Sequence, residues 1–303
     1  MPELPEVETI RRTLAPHLAG RTFTQIEVLD PRLLRGLLTK DVFAAALMGR
    51  TATQVDRRGK YLLVRLSDQV TWVIHLRMSG RLEWRASEMD AADVRFLRVR
   101  LGLDDGSVLD VIDMRRFVTL FLFGPMEDGM PKGLRDLGPE ALDPASFTPR
   151  YLRERREGRT VTIKGLLLDQ RVVAGLGNIY ADEALHRARI HPGRQAGTLT
   201  EPEVRRLHAA IRAVLKDGIE HLGVSFSLYR DAEGRPGFMS DYLRVYGRAG
   251  KPCTTCGETI VRSRVAGRGT ALCPRCQPVR PVRSSAAEQG GSPRRPLHVE
   301  AHP

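Results

Sequence analysis

Residues 253–276 read CTTCGETIVRSRVAGRGTALCPRC, and they hold all four cysteines of a 303-residue chain. Cys253 and Cys256 form one C-x-x-C pair and Cys273 and Cys276 a second, with sixteen residues between, within the spacing of a four-thiolate zinc site. Each pair can turn on a tight knuckle, so that four sulfurs converge on a metal that fills the core a short ribbon lacks. Two disulfides would satisfy the same count, but a reducing compartment opposes them. A redox motif would need a βαβ surround, and the sequence has none there. The expectation is one structural Zn2+ in a closed shell, with no open position for catalysis and no organic cofactor. Between the pairs, TIVRSRVAGRGTAL reads as a hairpin bearing Arg262, Arg264 and Arg268. A metal-stiffened basic hairpin suits nucleic acid.

Working outward, the charge agrees. The chain carries 48 Lys and Arg against 36 Asp and Glu, a net charge of +12, so a polyanion is the expected partner, with a merely basic surface as the alternative. No apolar run approaches the roughly 18 residues that span a bilayer, and no signal-peptide pattern opens the chain. A cytoplasmic protein with no membrane association is expected. From Thr22 to Phe123 the apolar runs, such as KYLLVRL, TWVIHLRM and VLDVIDMRRFVTLFLF, are rich in β-branched and aromatic residues and predict strands. GPMEDGMPKG, from Gly124 to Gly133, then separates this half from a helical one. There the clearest helix starts at Thr200, with Glu203 as capping-box partner and Val204, Leu207, Ile211, Leu215, Ile219 and Leu222 on one face. The division reads as a β domain over 1–123, a linker over 124–134, a helical domain over 135–248, the ribbon over 249–277 and a disordered tail over 278–303.

The opening MPELPEVETIRR places a proline behind the initiator methionine. Trimming of Met1 would leave the secondary amine of Pro2 as the N-terminus. Pro5 suits a first helical turn, and Val7, Ile10, Leu14 and Leu18 continue the apolar spacing. Pro2 and Glu3 therefore sit at a helix N-terminus, with Glu6 one turn on. An amine beside a proton-shuttling carboxylate is the minimum for Schiff-base chemistry. An ordinary acidic helix start would look the same.

Together MPELPEVET, RRGKYLL (57–63), HLRMSG (75–80), DMRRF (113–117), GLGNIYADE (175–183), VYGRAGKPC (245–253) and GRGTALCPRCQ (267–277) resemble the formamidopyrimidine-DNA glycosylase family, from Met1 to about Gln277. The resemblance implies an N-terminal β-sandwich with an N-terminal helix, a helix-two-turn-helix domain and a β-hairpin zinc ribbon around duplex DNA. It implies a bifunctional DNA glycosylase and abasic-site lyase of base excision repair, acting as a monomer on oxidised purines such as 8-oxoguanine and formamidopyrimidines. Pro2 matches the family's nucleophile and Glu3 the acid that protonates the opening deoxyribose. Lys60, His75, Asn178 and Arg268 match positions that grip phosphates around the flipped nucleotide, and Met78, Arg115 and Phe117 match the residues that fill the void it leaves. Physically, a helix starting after the Gly175–Gly177 turn would aim free N–H groups at an anion.

Each of these residues has a plainer role available alone: Lys60 a solvated strand lysine, His75 a core histidine, Asn178 an N-cap, Glu6 a helix charge rather than a proton relay. Met114 stands where the family usually has proline, and Gly223 to Phe238 lacks the Thr/Arg-rich chemistry of the family's lesion-binding loop. Two other functions stay open: an endonuclease VIII-like glycosylase for oxidised pyrimidines, and a non-catalytic binder of damaged DNA.

Overall fold

The computed structural model describes residues 1–87, 94–125, 129–226 and 228–279, so the expected disordered tail lies, from residue 280 on, outside the described residues. Helix α1 (Leu4–Leu18) takes Pro5 in its first turn, where the missing N–H costs nothing, and buries Val7, Ile10, Leu14 and Leu18. Leu4, one turn earlier, packs among residues of the helical half, and its N–H donates to the Gly175 carbonyl at 3.0 Å. The chain's first residues are thus threaded into the seam between two cores.

Eight strands follow: β1 (Phe23–Val28), β2 (Ala52–Arg58), β3 (Tyr61–Leu66), β4 (Thr71–His75), β5 (Gly80–Arg85), β6 (Leu97–Leu103), β7 (Val108–Asp113) and β8 (Thr119–Phe123). They form two antiparallel four-stranded sheets, ordered β1-β6-β7-β5 and β2-β3-β4-β8. Phe23, Trp72, Ile74, Leu82, Val99, Leu109, Val111 and Leu120 fill the space between and exclude water from it. The all-β reading of this half missed a short helix, α2 (Lys40–Leu47), which Thr39 caps through the Val42 N–H. The chain changes sheet between β4 and β5 and again between β7 and β8. Because β5 pairs with β7, with Gly80 opposite Asp113, these two crossover loops lie side by side.

A short helix α3 (Lys132–Arg135) begins within the expected linker, and beyond it come α4 (Pro149–Arg156), α5 (Ile163–Leu168), α6 (Asn178–Ala188) and α7 (Glu201–Glu220). The predicted capping box is present: the Thr200 N–H donates to the Glu203 carboxylate at 2.8 Å. The helix stops earlier than its apolar pattern suggests. Leu222 lies past the last turn at φ +59°, ahead of Gly223 at φ +80°. From residue 228 on the chain packs against the sandwich, where Ala232 is buried in its core and its carbonyl accepts the Trp84 backbone N–H at 2.8 Å. Finally β9 (Val261–Val265) and β10 (Arg268–Leu272) make the predicted hairpin, closed by Ala266 and Gly267, both at positive φ as a two-residue I′ turn requires. No helix among the described residues is long and apolar enough to cross a membrane.

Candidate active site and nucleic-acid interface

The three parts meet at the N-terminus. Pro2, with Met1, Glu6, Met78, Ile179, Val224, Phe226, Leu228 and Tyr229 among its neighbours, lines a cavity of about 160 Å³. Met1 occupies part of that wall, so its removal both frees the Pro2 nitrogen and opens the cavity.

Glu3 is buried and its carboxylate faces the start of α6, accepting the N–H groups of Gly177 at 2.7 Å, Ile179 at 2.9 Å and Tyr180 at 3.4 Å. A carboxylate here meets both the orphan donors and the positive end of the helix dipole. This corrects two expectations. Glu3, from within the chain, takes the N–H groups of Gly177, Ile179 and Tyr180 but not that of Asn178, and the N-cap is Gly177 rather than Asn178. Gly177 cannot carry a side chain. A Cβ would stand 2.3 Å from the Glu3 carboxyl carbon and 2.7 Å from Lys60 Nζ, which locates both groups over the same backbone.

Glu6 accepts three donors: the Glu3 N–H, the Tyr180 hydroxyl and the Val224 N–H, each at 2.8 Å. Burial, and after it the Glu3 charge, pushes its carboxyl above the ordinary range. It joins α1 to α6 and to the segment after α7 that lines the cavity.

Lys60 sits in the two-residue turn between β2 and β3, where Gly59 takes φ +56°. It is buried, and among the described residues it makes no hydrogen bond or ion pair. Burial pulls its ammonium below the usual lysine range against the pull of Glu3 and Glu6. A buried cation without a direct partner is costly, and the plainer alternative of a solvated strand lysine is not what stands here. The turn is held by Glu140, which takes Arg57, Arg58 and the Gly59 N–H at 2.7, 2.9 and 2.6 Å.

His75, beside Lys60 on a second concave surface with Arg77, Lys132 and Arg171, is buried edge-on to Tyr61. Its Nδ1 accepts the Arg77 N–H at 3.1 Å, which leaves the proton on Nε2. Burial, then the charges of Arg77 and Lys60, holds this imidazole down to about 3, so it stays a neutral donor at neutral pH.

The paired crossover loops carry Met78, Arg115 and Phe117. Met78 is 50% and Phe117 42% exposed. The Arg115 guanidinium lies 4.6 Å over the Phe117 ring and 3.9 Å from the Met78 sulfur, so the three form one projecting cluster. Fully buried Asp113 organises it by accepting the N–H groups of Arg115, Phe117 and Val118 and the Ser79 hydroxyl. The turn needs no proline at Met114: the carboxylate supplies the constraint, and Arg116 absorbs the reversal at φ +61°.

Asn178 donates Nδ2–H to the Gly269 carbonyl at 3.0 Å, beside exposed Arg268 on β10. Lys164 and Asp182 form a fully buried ion pair at 2.6 Å, with Lys164 reaching Thr270 and Asp182 accepting the Ala271 N–H. Burial lifts Asp182 to about 6 and lowers Lys164. Glu183 takes the N–H groups of Arg244, Val245 and Tyr246. Sequence reasoning assigned Lys164, Asp182 and Glu183 no role. The available signal was the i, i+4 spacing of Asn178 and Asp182, which puts both on the α6 face that meets the ribbon.

In the ribbon, all four cysteines are free thiols whose sulfurs lie within 4.8 Å of one another, with separations of 3.4 Å for Cys256–Cys273 and 3.9 Å for Cys253–Cys276. Four thiolates about 2.3 Å from a zinc ion would stand about 3.8 Å apart, so the donor set fits zinc and excludes the disulfide reading.

Sandwich, helical unit and ribbon, joined with the chain's own N-terminus at their seam, make the three-part architecture of a DNA glycosylase. Residues 1–120 match the formamidopyrimidine-DNA glycosylase N-terminal domain, 137–229 its H2TH domain and 250–279 the zinc finger found in FPG and IleRS. The formamidopyrimidine-DNA glycosylase of Symbiobacterium thermophilum is 53% identical over 92% of this chain and 90% of its own. That of Pelotomaculum thermopropionicum is 45% identical over 92% of this chain and 100% of its own. A Lactococcus lactis FPG mutant solved with Fapy-dG-containing DNA superposes with a TM-score of 0.84 at 36% identity, covering 92% of this chain and 100% of that one. The chain belongs to the formamidopyrimidine-DNA glycosylase family, and its four cysteines are a zinc site.

Proposed function

We propose that this enzyme removes oxidised purines, 8-oxoguanine and formamidopyrimidines, from duplex DNA and then cuts the strand at the abasic site, working as a cytoplasmic monomer on DNA that bears such bases or abasic sites. The carrying observation is that Pro2 and Glu6 line one cavity while Glu3 and Lys60 converge over Gly177 beside it. The Pro2 amine attacks C1′ of an extruded nucleotide. The C1′–N bond to the base breaks, and the base leaves as an anion that takes its proton from solvent. Glu3 takes the proton shed by the amine and returns it to the ring oxygen as the sugar opens and the Schiff base forms. Elimination of the 3′ and then the 5′ phosphate, β and δ, releases the sugar fragment. Glu6 relays protons between Glu3 and the cavity. Lys60, His75, Asn178 and Arg268 hold the flanking phosphates. In this reading the chain divides into a catalytic sandwich (1–123), linker (124–134), helical DNA-binding domain (135–248) and ribbon (249–277), and the duplex lies against all three parts.

Borohydride tests the reading. Reduction during turnover of lesion-bearing DNA should trap an adduct whose peptide maps to Pro2. An adduct of equal yield from Pro2→Gly with an acetylated N-terminus would remove Pro2 from the chemistry. Comparing oxidised purine with oxidised pyrimidine substrates separates this reading from the endonuclease VIII-like one.

The projecting cluster carries a second prediction. Extruding a base costs a few kcal/mol in stacking and pairing, which an apolar wedge offsets. Phe117→Ala should therefore slow excision from duplex much more than cleavage of an abasic site in single-stranded DNA. Arg115 offers several donors to the orphaned partner base, and cytosine presents more acceptors than adenine, so Arg115→Ala should erode a preference for lesions opposite cytosine. Excision rates for one lesion opposite each base decide it, and an unaltered ratio would take Arg115 out of that role.

A further inference from the structure

His186 lies one turn beyond Asp182 on the same face of α6. It is buried, at 3% exposure, and its Nε2 stands 3.5 Å from Cys253 Sγ. Its Nδ1 is also buried and has no partner among the described residues. The imidazole is not a fifth ligand, since the mutually close donor atoms are the four sulfurs alone. We propose that His186 is a positioning residue for the zinc site, donating its Nε2–H to the Cys253 thiolate and so docking the metal knuckle on α6.

The tautomer follows from the contacts. A lone pair on Nε2 would face a thiolate's negative charge and leave a buried Nδ1–H without an acceptor. A proton on Nε2 instead makes a charge-assisted bond and leaves only a lone pair unmet, the cheaper of the two deficits. Groups that hydrogen-bond to metal ligands orient them and tune the bond to the metal, and their loss commonly costs 10- to 100-fold in metal affinity. The consequence reaches further here because α6 carries both ends of the machinery. Its first turn holds Glu3, Asn178 and Asp182 lie along the ribbon-facing side, and His186 touches the metal cluster from the last turn. A ribbon loosened at Cys253 would shift the strand that presents Arg268 relative to Glu3.

The test uses the full-length zinc protein. His186→Phe keeps a flat ring in the site and removes the donor; His186→Gln keeps an N–H. Zinc transfer to a chromophoric chelator should run about tenfold faster in His186→Phe and within about threefold of wild type in His186→Gln. In the cobalt-substituted protein the thiolate-to-metal absorption band should move in His186→Phe and stay in His186→Gln. Ring nitrogen NMR of the wild-type zinc protein gives a reading that no variant can spoil by misfolding: the proton should be found on Nε2. A proton on Nδ1 alone, or unchanged zinc release and cobalt spectrum in a folded His186→Phe, would overturn the proposal.

Discussion

Glu3→Gln should lower the rate of base excision by about 10²- to 10⁴-fold, the range that a positioned proton-transfer group supplies. Both carboxylate oxygens accept backbone N–H groups at the start of α6, so the side chain is fixed next to Pro2 and cannot swing away. An amide keeps the shape but has one acceptor oxygen, so its NH2 must face one of the Gly177 and Ile179 donors. That mismatch costs about 1–3 kcal/mol in stability and has to be separated from the chemical loss. Substrate choice makes the separation. Protonation of the sugar matters most while a base must still leave, so the variant should lose far more on a lesion than on a preformed abasic site. Single-turnover rates on the two substrates, with thermal unfolding alongside, provide the comparison. Equal losses on both would mean that the substitution disturbs the fold of the site rather than the proton.

Removing the metal should have an effect of similar size by another route. The ribbon's apolar cluster is small: Cys253, Ile260, Ala271 and Cys273 with Val245 from just before it, and two of these are ligands. Structural zinc contributes about 10–16 kcal/mol to such units, more than this core can replace. Without it the hairpin keeps only its own strand pairing and its bonds to Asn178, Lys164 and Asp182, so Arg268 and the Gly269 carbonyl lose the support of the metal knuckles. Chelation, or Cys273→Ser, should therefore weaken duplex binding at least 100-fold. The chain's two tryptophans, Trp72 and Trp84, both lie in the sandwich half, so their emission should stay constant while binding is lost. Metal-free protein, verified by mass spectrometry, that binds DNA within twofold of the zinc form would refute a structural role.

Much of this protein is legible locally. The cysteine spacing, the apolar faces of α1 and α7, the capping box at Thr200 and the Ala266–Gly267 turn are short-range facts, because the hydrogen bonds and contacts that enforce them join residues a few positions apart. The motifs carrying Pro2, Glu3, Lys60, His75, Asn178 and Arg268 are compact strings too, but each has a plainer reading alone, and only the resemblance of the whole set to one family picked them out. Local pattern failed where a long-range contact competed. Leu222 has helical spacing, yet the helix ends at Glu220 because the chain must turn back toward the sandwich. The α6 N-terminus looked wholly open, yet a carboxylate 174 residues earlier in the chain takes the Gly177 N–H there and those of Ile179 and Tyr180 with it. Lys60 passes for a surface lysine until Glu140, from the other half, pins its turn.

What the sequence by itself determined is therefore the inventory: a β half, a helical half, a four-thiolate ribbon, and the reactive side chains each one carries. Only the tertiary structure decided which of them meet. Burial of Glu3, Glu6 and Lys60 in one place, and the reach of α6 from Glu3 to Cys253, depend on two cores closing around the first turn of α1. Charges and donors brought together that way are desolvated by residues distant in the chain, and no window of sequence contains that environment.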